Sequence, residues 1–366
     1  MHSSLKVNHE IFMHRCLQLA KLGQGFVAPN PMVGAVLVHN KQIIGEGYHR
    51  TYGGPHAEVN CIQNAIANGF ENLLNKSTIY VSLEPCAHFG KTPPCAELII
   101  NHKLPTVVIG CRDPFVEVDG RGVEKLKQAG ISVIEGVLEQ EAKDLNKRFF
   151  CFHQHHKPFV ILKWAQTADG FIGNVGNERL MISNDITNRL VHQWRSQESA
   201  ILVGTKTALK DNPQLTNRFW HGAHPVRLVT DFNNVLPGSH NIFSGEATTI
   251  IFNYDRHTIN DRLKFSGLDK KRYWYKLDAQ RSSIIEMMEA CYRLGIPGIL
   301  VEGGARLQQS FIDENCWNEA RVITNPDILI NAGISAPVLK NVESLFHRES
   351  GSDRITYFSR SNSMVN

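Results

Sequence analysis

The sequence predicts an α/β fold with two domains, and three observations support this prediction. The chain has 366 residues, of which 42% are hydrophobic and 20% charged, so it is long enough for two separate cores. Helical and strand patterns alternate on both sides of residues 147–158. That segment is rich in aromatic residues and histidines and ends in a proline, and we interpret it as a solvated connector. We therefore expect one domain at residues 1–150 and a second at residues 157–366.

The first domain is predicted to be a sheet with flanking helices. Apolar residues at helical spacing predict helices at 11–22 and 123–129, and a third helix that starts near His56. Short apolar runs predict strands at residues 33–38, 43–48, 78–83, 107–110 and 131–134. Two prolines stand directly before Cys95 and indicate a further helix there, because proline is favoured in a first helical turn.

The second domain repeats this alternation of strands and helices. Apolar runs predict strands at residues 159–163, 200–204, 226–230, 249–252 and 299–301. Helical spacing predicts helices at residues 185–195, 284–294 and 307–312. The pattern is typical of a second α/β sheet domain with its own core.

Composition and charge restrict the classes to which the protein can belong. The first residues lack the apolar core of a signal peptide, and no apolar stretch approaches the length of a membrane span. The net charge of +4 without a long basic run argues against a nucleic-acid partner and suits a small phosphorylated substrate. Six cysteines lack paired spacing and are expected to be reduced thiols, namely Cys16, Cys61, Cys111, Cys151, Cys291 and Cys316. We expect a cytoplasmic homo-oligomer without nucleic-acid or membrane partners.

Three residues form the strongest functional pattern in the chain. His56, Cys86 and Cys95 offer one imidazole and two thiolates, which are preferred ligands of zinc. Zinc favours four ligands, so a site with three protein ligands leaves one position for water, as in catalytic sites. Zinc also lowers the pKa of bound water, so that hydroxide forms near neutral pH. Cys95 at a predicted helix start is favoured as a thiolate by the positive end of the helix dipole.

Glu58 follows His56 by two residues and is predicted to be a general acid and base, not a ligand. It can receive the proton of the water and deliver protons to a ring nitrogen and a departing amine. These residues together predict a zinc-dependent deaminase. Eight residues separate Cys86 from Cys95, whereas nucleic-acid deaminases have two between their cysteines, so the spacing argues against that class. A structural zinc module joined to a small-molecule sensor is an alternative, but it has no use for a buried carboxylate beside the metal.

Several motifs of the first domain resemble the bifunctional riboflavin-biosynthesis deaminase/reductase family. The motifs are Pro29-Asn30-Pro31-Met32-Val33-Gly34, Gly45-Glu46-Gly47-Tyr48-His49, Pro55-His56-Ala57-Glu58, Glu84-Pro85-Cys86-Ala87-His88 and Gly90-Lys91-Thr92-Pro93-Pro94-Cys95. The resemblance implies a cytidine-deaminase-like three-layer domain, and it accounts for the wide spacing of the two cysteines. It also implies substrate contacts for Asn30, His49, His88 and Lys91. These side chains offer donors, acceptors or charge to the edge and the oxygens of a phosphorylated pyrimidinone.

The second domain resembles the reductase half of the same family, which implies a dihydrofolate-reductase-like fold. The motifs are Leu162-Lys163 with Asp169-Gly170, Arg195-Ser196, Gly204-Thr205 with Thr207, Asp211-Asn212-Pro213-Gln214-Leu215-Thr216 with Arg218, and Val301-Glu302-Gly303-Gly304. The resemblance implies that NADPH is held by Thr207, Asp211, Gly304, Ala305 and Arg306. It implies that the substrate is contacted by Lys163, Arg195, Leu215, Arg218 and Glu302.

The residue types of the second domain fit this resemblance. Gly303 and Gly304 follow an apolar strand and precede a predicted helix, so their amides can approach a cofactor phosphate at a helix start. Guanidinium groups such as those of Arg195 and Arg218 recognise phosphate through paired hydrogen bonds. Lys163, Asp211 and Glu302 are candidates for positioning the substrate or delivering a proton.

The second domain also departs from the family pattern at two places. Arg179-Leu180-Met181-Ile182-Ser183 stands where the family has Ser-x-Trp-Ile followed by Ser or Thr. Phe232-Asn233-Asn234-Val235-Leu236-Pro237 follows Asp231 and lacks the usual arginine two residues before the proline. These departures affect the contacts with the cofactor.

The resemblance implies a two-step reaction. The first step removes the 2-amino group of 2,5-diamino-6-ribosylamino-4(3H)-pyrimidinone 5′-phosphate with the help of zinc. The second step transfers a hydride from NADPH to C1′ of the sugar and leaves a ribitylamino product. The alternative function is a zinc-dependent deaminase of nucleosides or tRNA, followed by a nonenzymatic binding domain.

Overall fold

The computed structural model describes residues 8–87, 93–115, 120–176, 180–260 and 262–360. His88, Lys91 and Arg179, which the sequence analysis singles out, lie outside the described residues. The chain divides into two compact units, Met1–His155 and His156–Asn366. The division falls within the segment that was predicted to be a connector.

The first unit is built on a mixed sheet of five strands. The strands are β1 (Gly34–His39), β2 (Gln42–Tyr48), β3 (Thr78–Leu83), β4 (Thr106–Cys111) and β5 (Ser132–Ile134). Their order is β2-β1-β3-β4-β5, where β1 is antiparallel to both neighbours and β3, β4 and β5 are parallel. The helices are α1 (His9–Lys21), α2 (Ala57–Ala67), α3 (Cys95–Asn101), α4 (Arg121–Gln128), α5 (Glu139–Leu145) and α6 (Lys147–His155).

Helices cover both faces of this sheet and give the unit three layers. Ala35 and Leu37 of β1 pack in a core with residues of α2, α3 and α4. The alternate residues Val36 and Val38 pack against α1 on the opposite face, as the two-residue period of a strand requires. The expected cytidine-deaminase-like three-layer arrangement is therefore present.

The prediction of a solvated connector was wrong for residues 147–155, which form α6. Phe149, Phe150 and Cys151 of this helix are buried. The ring of His153 packs against Phe149 with 4.4 Å between the ring centroids. The aromatic residues that suggested a change of composition thus belong to the core of the first unit, which the local sequence pattern could not reveal.

The second unit contains a sheet of nine strands and a separate two-stranded ribbon. The strands are β6 (Phe159–Thr167), β7 (Phe171–Gly173), β8 (Ala200–Val203), β9 (Val226–Thr230), β10 (Thr249–Asn253), β11 (Arg272–Lys276), β12 (Gly298–Val301), β13 (Glu319–Asn325), β14 (Ile334–Ser335), β15 (Val342–Ser350) and β16 (Asp353–Arg360). The large sheet has the order β11-β10-β9-β8-β12-β6-β13-β16-β15, and β7 pairs with β14. The helices are α7 (Asp185–Gln197), α8 (Thr205–Asp211), α9 (Ser283–Arg293) and α10 (Ala305–Asp313).

The predicted strands form most of the parallel centre of the large sheet. The strands from β11 to β13 are parallel, whereas β16 and β15 are added in antiparallel orientation. The C-terminal strands were not predicted, and most residues of β15 are exposed, so this strand lacks an apolar pattern. The order and directions of the strands in the large sheet are the dihydrofolate-reductase-like arrangement that the family resemblance implied.

Among the described helices, none combines the length and the apolar character that crossing a membrane demands.

Candidate active sites

The three predicted zinc ligands come together in the first unit, although they belong to different elements. His56 is the residue before α2, Cys95 is the first residue of α3, and Cys86 lies in the loop after β3. The Nδ1 atom of His56 lies 3.6 Å from the sulfur of Cys86 and 3.3 Å from the sulfur of Cys95. Among the described residues this is the only group of three such side chains whose ligand atoms all lie within 4.8 Å of one another.

The environment of Cys86 favours its thiolate form. A hydrogen bond from the Cys95 thiol, together with the Cys95 amide at 3.3 Å and the ring of His56, lowers the pKa of Cys86 to about 4. One imidazole and two sulfurs, one of them poised as a thiolate, fit the ligand preferences of zinc.

Glu58 lies in the first turn of α2, directly beside this cluster. Its side chain is buried, and the residue is 3% exposed. Burial raises the pKa of Glu58 to about 7, although the nearby His56 opposes this shift. A carboxyl group with such a pKa can both accept and donate a proton near neutral pH. Glu58 also forms a side-chain hydrogen bond with Cys95, so it faces the ligand cluster.

The position of α2 depends on two glycines of β2. A Cβ atom at Gly45 would lie 2.7 Å from the carbonyl oxygen of Cys61 in α2, and one at Gly47 would overlap the backbone of the same residue. Only glycine therefore allows the helix to lie so close to the strand. The Gly45-Glu46-Gly47 motif thus lets the helix that carries Glu58 pack closely on β2.

Asn30 and His49 form a hydrogen-bonded pair at the edge of the same site. The Nδ1 of His49 donates to the carbonyl oxygen of Pro55 at 3.0 Å, and its Nε2 accepts from the Asn30 amide at 3.2 Å. The rings of His49 and His56 are 5.5 Å apart, so the pair adjoins the metal cluster. Burial lowers the pKa of His49, which keeps the ring neutral.

Glu84 is a site-supporting residue to which the sequence analysis assigned no role. Its buried carboxylate accepts the backbone N–H groups of Gly120, Gly122 and Val123 at 3.0–3.1 Å. It therefore caps α4 and satisfies amides that a helix start leaves without partners. The signal in the sequence was its place two residues before Cys86.

In the second unit, Lys163, Arg195 and Glu302 form a buried charged cluster. Glu302 follows β12 beside Lys163 of β6, because the register pairs Val301 with Leu162. Arg195 of α7 donates two hydrogen bonds to the Glu302 carboxylate, at 2.7 and 2.8 Å. The ammonium group of Lys163 lies 3.8 Å from the same carboxylate.

The cluster keeps Glu302 ionised. Burial opposes its charge, but Arg195 and Lys163 outweigh burial and lower the pKa of Glu302 to about 2. The side chain of Glu302 is only 7% exposed, so little solvent screens these interactions.

The loop after α8 carries two further predicted residues, and its backbone contacts this cluster at Thr216. Arg195 donates to the carbonyl oxygen of Thr216 at 3.3 Å. Leu215 is 3% exposed and has a positive φ of 56°, which turns the chain sharply before Thr216. Arg218 donates from Nη1 to the side-chain oxygen of Gln214 at 2.5 Å.

The predicted NADPH-binding residues lie in the segments that follow β8 and β12. Gly304 has a φ of 67° and precedes α10, and a Cβ there would lie 3.0 Å from the hydroxyl of Thr207 in α8. Ala305 and Arg306 open α10, and Asp211 is the exposed last residue of α8. Only glycine fits at position 304, because a side chain there would crowd Thr207. The start of α10 beside this glycine can bind the phosphates of a dinucleotide.

The two departures from the family pattern have different surroundings. Met181 is 58% exposed, so it does not supply the buried contact that a tryptophan would give. Phe232, which follows β9, stacks on Tyr254, which follows β10, at a centroid distance of 4.7 Å.

The sequence analysis also missed His192 and Arg227, two buried residues that contact the loop carrying Arg218.

Two known families match separate parts of the chain. Residues 6–111 match the family described as the cytidine and deoxycytidylate deaminase zinc-binding region. Residues 158–334 match the family described as the RibD C-terminal domain. The chain is therefore an enzyme with a hydrolase and an oxidoreductase activity, and its cofactors are Zn²⁺ and NADPH.

Relatives that match most of the chain are riboflavin biosynthesis proteins. The RibD protein of Aquifex aeolicus is 36% identical over 320 residues, which cover 87% of each chain. The RibD protein of Bacillus amyloliquefaciens is 37% identical over 332 residues, which cover 90% of this chain and 87% of the relative.

A solved structure from Thermotoga maritima is similar to this chain over both units. It is described as a diaminohydroxyphosphoribosylaminopyrimidine deaminase/5-amino-6-(5-phosphoribosylamino)uracil reductase, and it is 37% identical with a TM-score of 0.84. The alignment covers 96% of this chain and 98% of that chain. The two matched domains, the full-length relatives and the shared architecture lead to one conclusion: this chain belongs to the RibD family of bifunctional riboflavin-biosynthesis deaminase/reductases.

Proposed function

We propose that the chain deaminates 2,5-diamino-6-ribosylamino-4(3H)-pyrimidinone 5′-phosphate and then reduces the ribosyl group of the product to a ribityl group. We assign the first step to residues 1–150 and the second to residues 157–366. The strongest support is the group of His56, Cys86 and Cys95 beside a buried carboxyl group, Glu58. The name of the Thermotoga maritima structure describes the same two activities.

In the deaminase half, we assign His56, Cys86 and Cys95 to hold zinc. When bound, zinc supplies a water that is activated for attack on the ring carbon bearing the 2-amino group. Glu58 would accept the two protons of that water in turn and transfer one to the adjacent ring nitrogen and the other to the leaving amine. Water and the amine are thereby converted into a carbonyl group and ammonia, so atoms and charges balance.

We assign Asn30 and His49 to orient the pyrimidinone. The hydrogen bond from Asn30 to Nε2 of His49 holds the asparagine amide in one orientation, which supports a fixed donor and acceptor toward the ring edge. His88 and Lys91 are proposed as further substrate contacts on the strength of their motif alone.

In the reductase half, NADPH supplies a hydride to C1′ of the sugar when it is bound. We assign Thr207, Asp211, Gly304, Ala305 and Arg306 to hold it. Lys163 and Glu302 are proposed to position the sugar, since both charges are held at short range in a buried cluster. Lys163 is the candidate to deliver a proton, because Glu302 is kept ionised and carries none. Arg195, Leu215 and Arg218 are proposed to face the substrate.

A coupled assay tests the proposed function. Purified protein is given the diaminopyrimidinone phosphate, cytidine or tRNA, and ammonia release is followed together with NADPH oxidation. We expect ammonia only from the diaminopyrimidinone phosphate, followed by one equivalent of NADPH oxidised. Protein stripped of zinc should lose ammonia release yet oxidise NADPH when the deaminated intermediate is supplied. Release of ammonia from cytidine or tRNA at a comparable rate would instead support a nucleoside or tRNA deaminase.

Replacement of Arg218 by alanine is expected to raise the KM for the deaminated substrate by about 10- to 100-fold. The reason is that a hydrogen bond to a charged group contributes about 1.5–3 kcal/mol. The KM for NADPH should change less than about twofold, because Arg218 is assigned to the substrate phosphate. Arg256→Ala is a matched control, since both guanidinium groups are exposed and lie over an aromatic ring. Arg218 lies 5.7 Å from the centroid of Phe219, and Arg256 lies 3.8 Å from that of Trp274. Equal increases in both KM values after Arg218→Ala would contradict the phosphate contact.

We propose a cytoplasmic location and a homo-oligomeric state. The eight cysteines are all free of disulfide bonds, as is usual in a reducing compartment. Leu345 and Phe346 are 50% and 53% exposed on β15, at the edge of the large sheet, where a second copy could cover them. Light scattering of the purified protein measures the oligomeric state.

A further inference from the structure

The segment 214–218 is held in place by polar side chains from other parts of the second unit. Arg195 donates to the carbonyl oxygen of Thr216 at 3.3 Å. The fully buried guanidinium of Arg227 donates to the carbonyl oxygen of Gln214, also at 3.3 Å. These contacts fix carbonyl groups and leave the amide groups of the segment to other partners.

Two histidines accept the amide groups of this segment. The N–H of Asn217 donates to Nδ1 of His224 at 3.2 Å, and the next N–H, that of Arg218, donates to Nδ1 of His192 at 3.0 Å. A ring nitrogen that accepts a hydrogen bond carries no proton, so the ring of His192 is neutral and carries its proton on Nε2. His192 is 5% exposed, so its bond to Arg218 is shielded from water.

His192 connects the backbone of Arg218 to the charged cluster. It precedes Arg195 by three residues in α7, and side chains at this spacing lie on one face of a helix. Arg195 is fixed in turn by its paired hydrogen bonds with Glu302. The ring of Phe219 packs edge-on against His192 at a centroid distance of 4.7 Å, which restricts the imidazole from another side.

We propose that His192 is a positioning residue of the reductase, because its Nδ1 fixes the backbone at Arg218 and thereby directs the guanidinium toward the substrate. This inference rests on the proposed contact between Arg218 and the substrate phosphate. A long side chain reaches its target reliably only when its own backbone is fixed, and a displacement of about 1 Å can strongly weaken a productive contact. His192 itself touches neither substrate nor cofactor in this proposal.

The charges around His192 preserve the tautomer that this function needs. Burial is the largest cause that lowers the pKa of His192 to about 4, followed by the charges of Arg195 and Arg218. Lys163 acts in the same direction, whereas Glu302 opposes it. The ring therefore stays neutral at physiological pH, and Nδ1 remains an acceptor.

Three substitutions of His192 in the full chain test the proposal, with the deaminated intermediate as the substrate. Leucine removes the acceptor, asparagine keeps an oxygen near the position of Nδ1, and glutamine places its oxygen nearer to that of Nε2. We expect His192→Leu to raise the KM for the substrate about tenfold, with the KM for NADPH and kcat within about twofold of the original values. His192→Asn should restore the substrate KM, whereas His192→Gln should not.

Two comparisons separate positioning from a general loss of structure. His257→Leu removes another Nδ1 that accepts a backbone amide, that of Lys276 at 3.2 Å, and should leave both KM values unchanged. In protein that already carries Arg218→Ala, His192→Leu should cause no further increase in the substrate KM, because the two residues act through one contact.

The outcomes distinguish this inference from the proposed function. If Arg218→Ala does not change the substrate KM, the assignment of Arg218 to the phosphate is wrong. If Arg218→Ala raises it and His192→Leu does not, only the positioning role of His192 is overturned. Independent, additive effects of the two substitutions, or failure of His192→Asn to restore the KM, would also overturn it.

Discussion

Replacement of Glu58 by glutamine is expected to reduce deamination by at least about 100-fold while zinc content stays at one per chain. General acid and base catalysis contributes about 10²- to 10⁴-fold, and glutamine cannot carry the transferred proton. Zinc should be retained because the three assigned ligands are His56, Cys86 and Cys95. Ammonia release measures the first quantity, and metal analysis of the purified variant measures the second.

The matched control for this variant is Glu71→Gln, which changes an exposed glutamate of the same unit. It should leave both ammonia release and zinc content unchanged. Glu58→Gln should also retain NADPH oxidation when the deaminated intermediate is supplied, since the reductase residues lie in the other unit. Deamination at the original rate would disprove the acid and base role, and loss of zinc would indicate that Glu58 supports the metal instead.

Replacement of Glu302 by glutamine is expected to abolish reduction and to destabilise the second unit by about 3 kcal/mol. Removing one partner of a buried ion pair typically costs 3–5 kcal/mol, because the remaining charge has no compensation. Here two cations, Arg195 and Lys163, would remain close together with side chains that are each 13% exposed. Urea unfolding measures the stability, and NADPH oxidation measures the activity. Ammonia release by the first unit should persist.

The stability effect of Glu302 is expected to depend on pH. Its pKa falls from an ordinary value of 4.5 to about 2 in the folded protein. A carboxyl group with a lowered pKa stabilises the fold fully above its ordinary value, and this contribution is lost as the pH falls toward the folded value. The difference in stability between the original protein and Glu302→Gln should therefore be constant above about pH 5 and shrink between pH 4.5 and 2.

A surface ion pair of the same unit provides the control. Glu349 lies 2.9 Å from Arg354, but the two side chains are 57% and 61% exposed. Exposed pairs contribute about 0–1 kcal/mol, so Glu349→Gln should change neither stability nor activity measurably. If the two substitutions reduced the stability by equal amounts, the ion pairs of Glu302 would not be shielded from solvent.

The first unit was largely predictable because its chemistry lies in short segments. The zinc pattern consists of three residue types with narrow ligand chemistry, and the predicted helix starts near His56 and Cys95 are those of α2 and α3. Prolines before Cys95 and apolar runs in β1 to β4 are local signals that tertiary packing did not override. The role of Glu84 was missed, because its partners are backbone amides about 36–39 residues away in the sequence.

The reductase cluster was predicted by resemblance, whereas its geometry was not accessible from local patterns. Lys163, Arg195 and Glu302 lie on or directly after three different elements, and only the parallel register of β6 and β12 brings the lysine and the glutamate side by side. Strand β15 was also missed, because its exposed residues carry no apolar alternation.

A family resemblance implied the NADPH chemistry of the second unit. The sequence by itself determined the two α/β units, the zinc chemistry of the first and the residue types that can perform it. These follow from apolar periodicity and from ligand groups that keep their preferences wherever they occur. Only the tertiary structure decided that residues 147–155 are a helix of the first core, and that His192 accepts the amide of Arg218. Both depend on contacts between segments that are distant in the chain, and the free energy of such packing is absent from any local pattern.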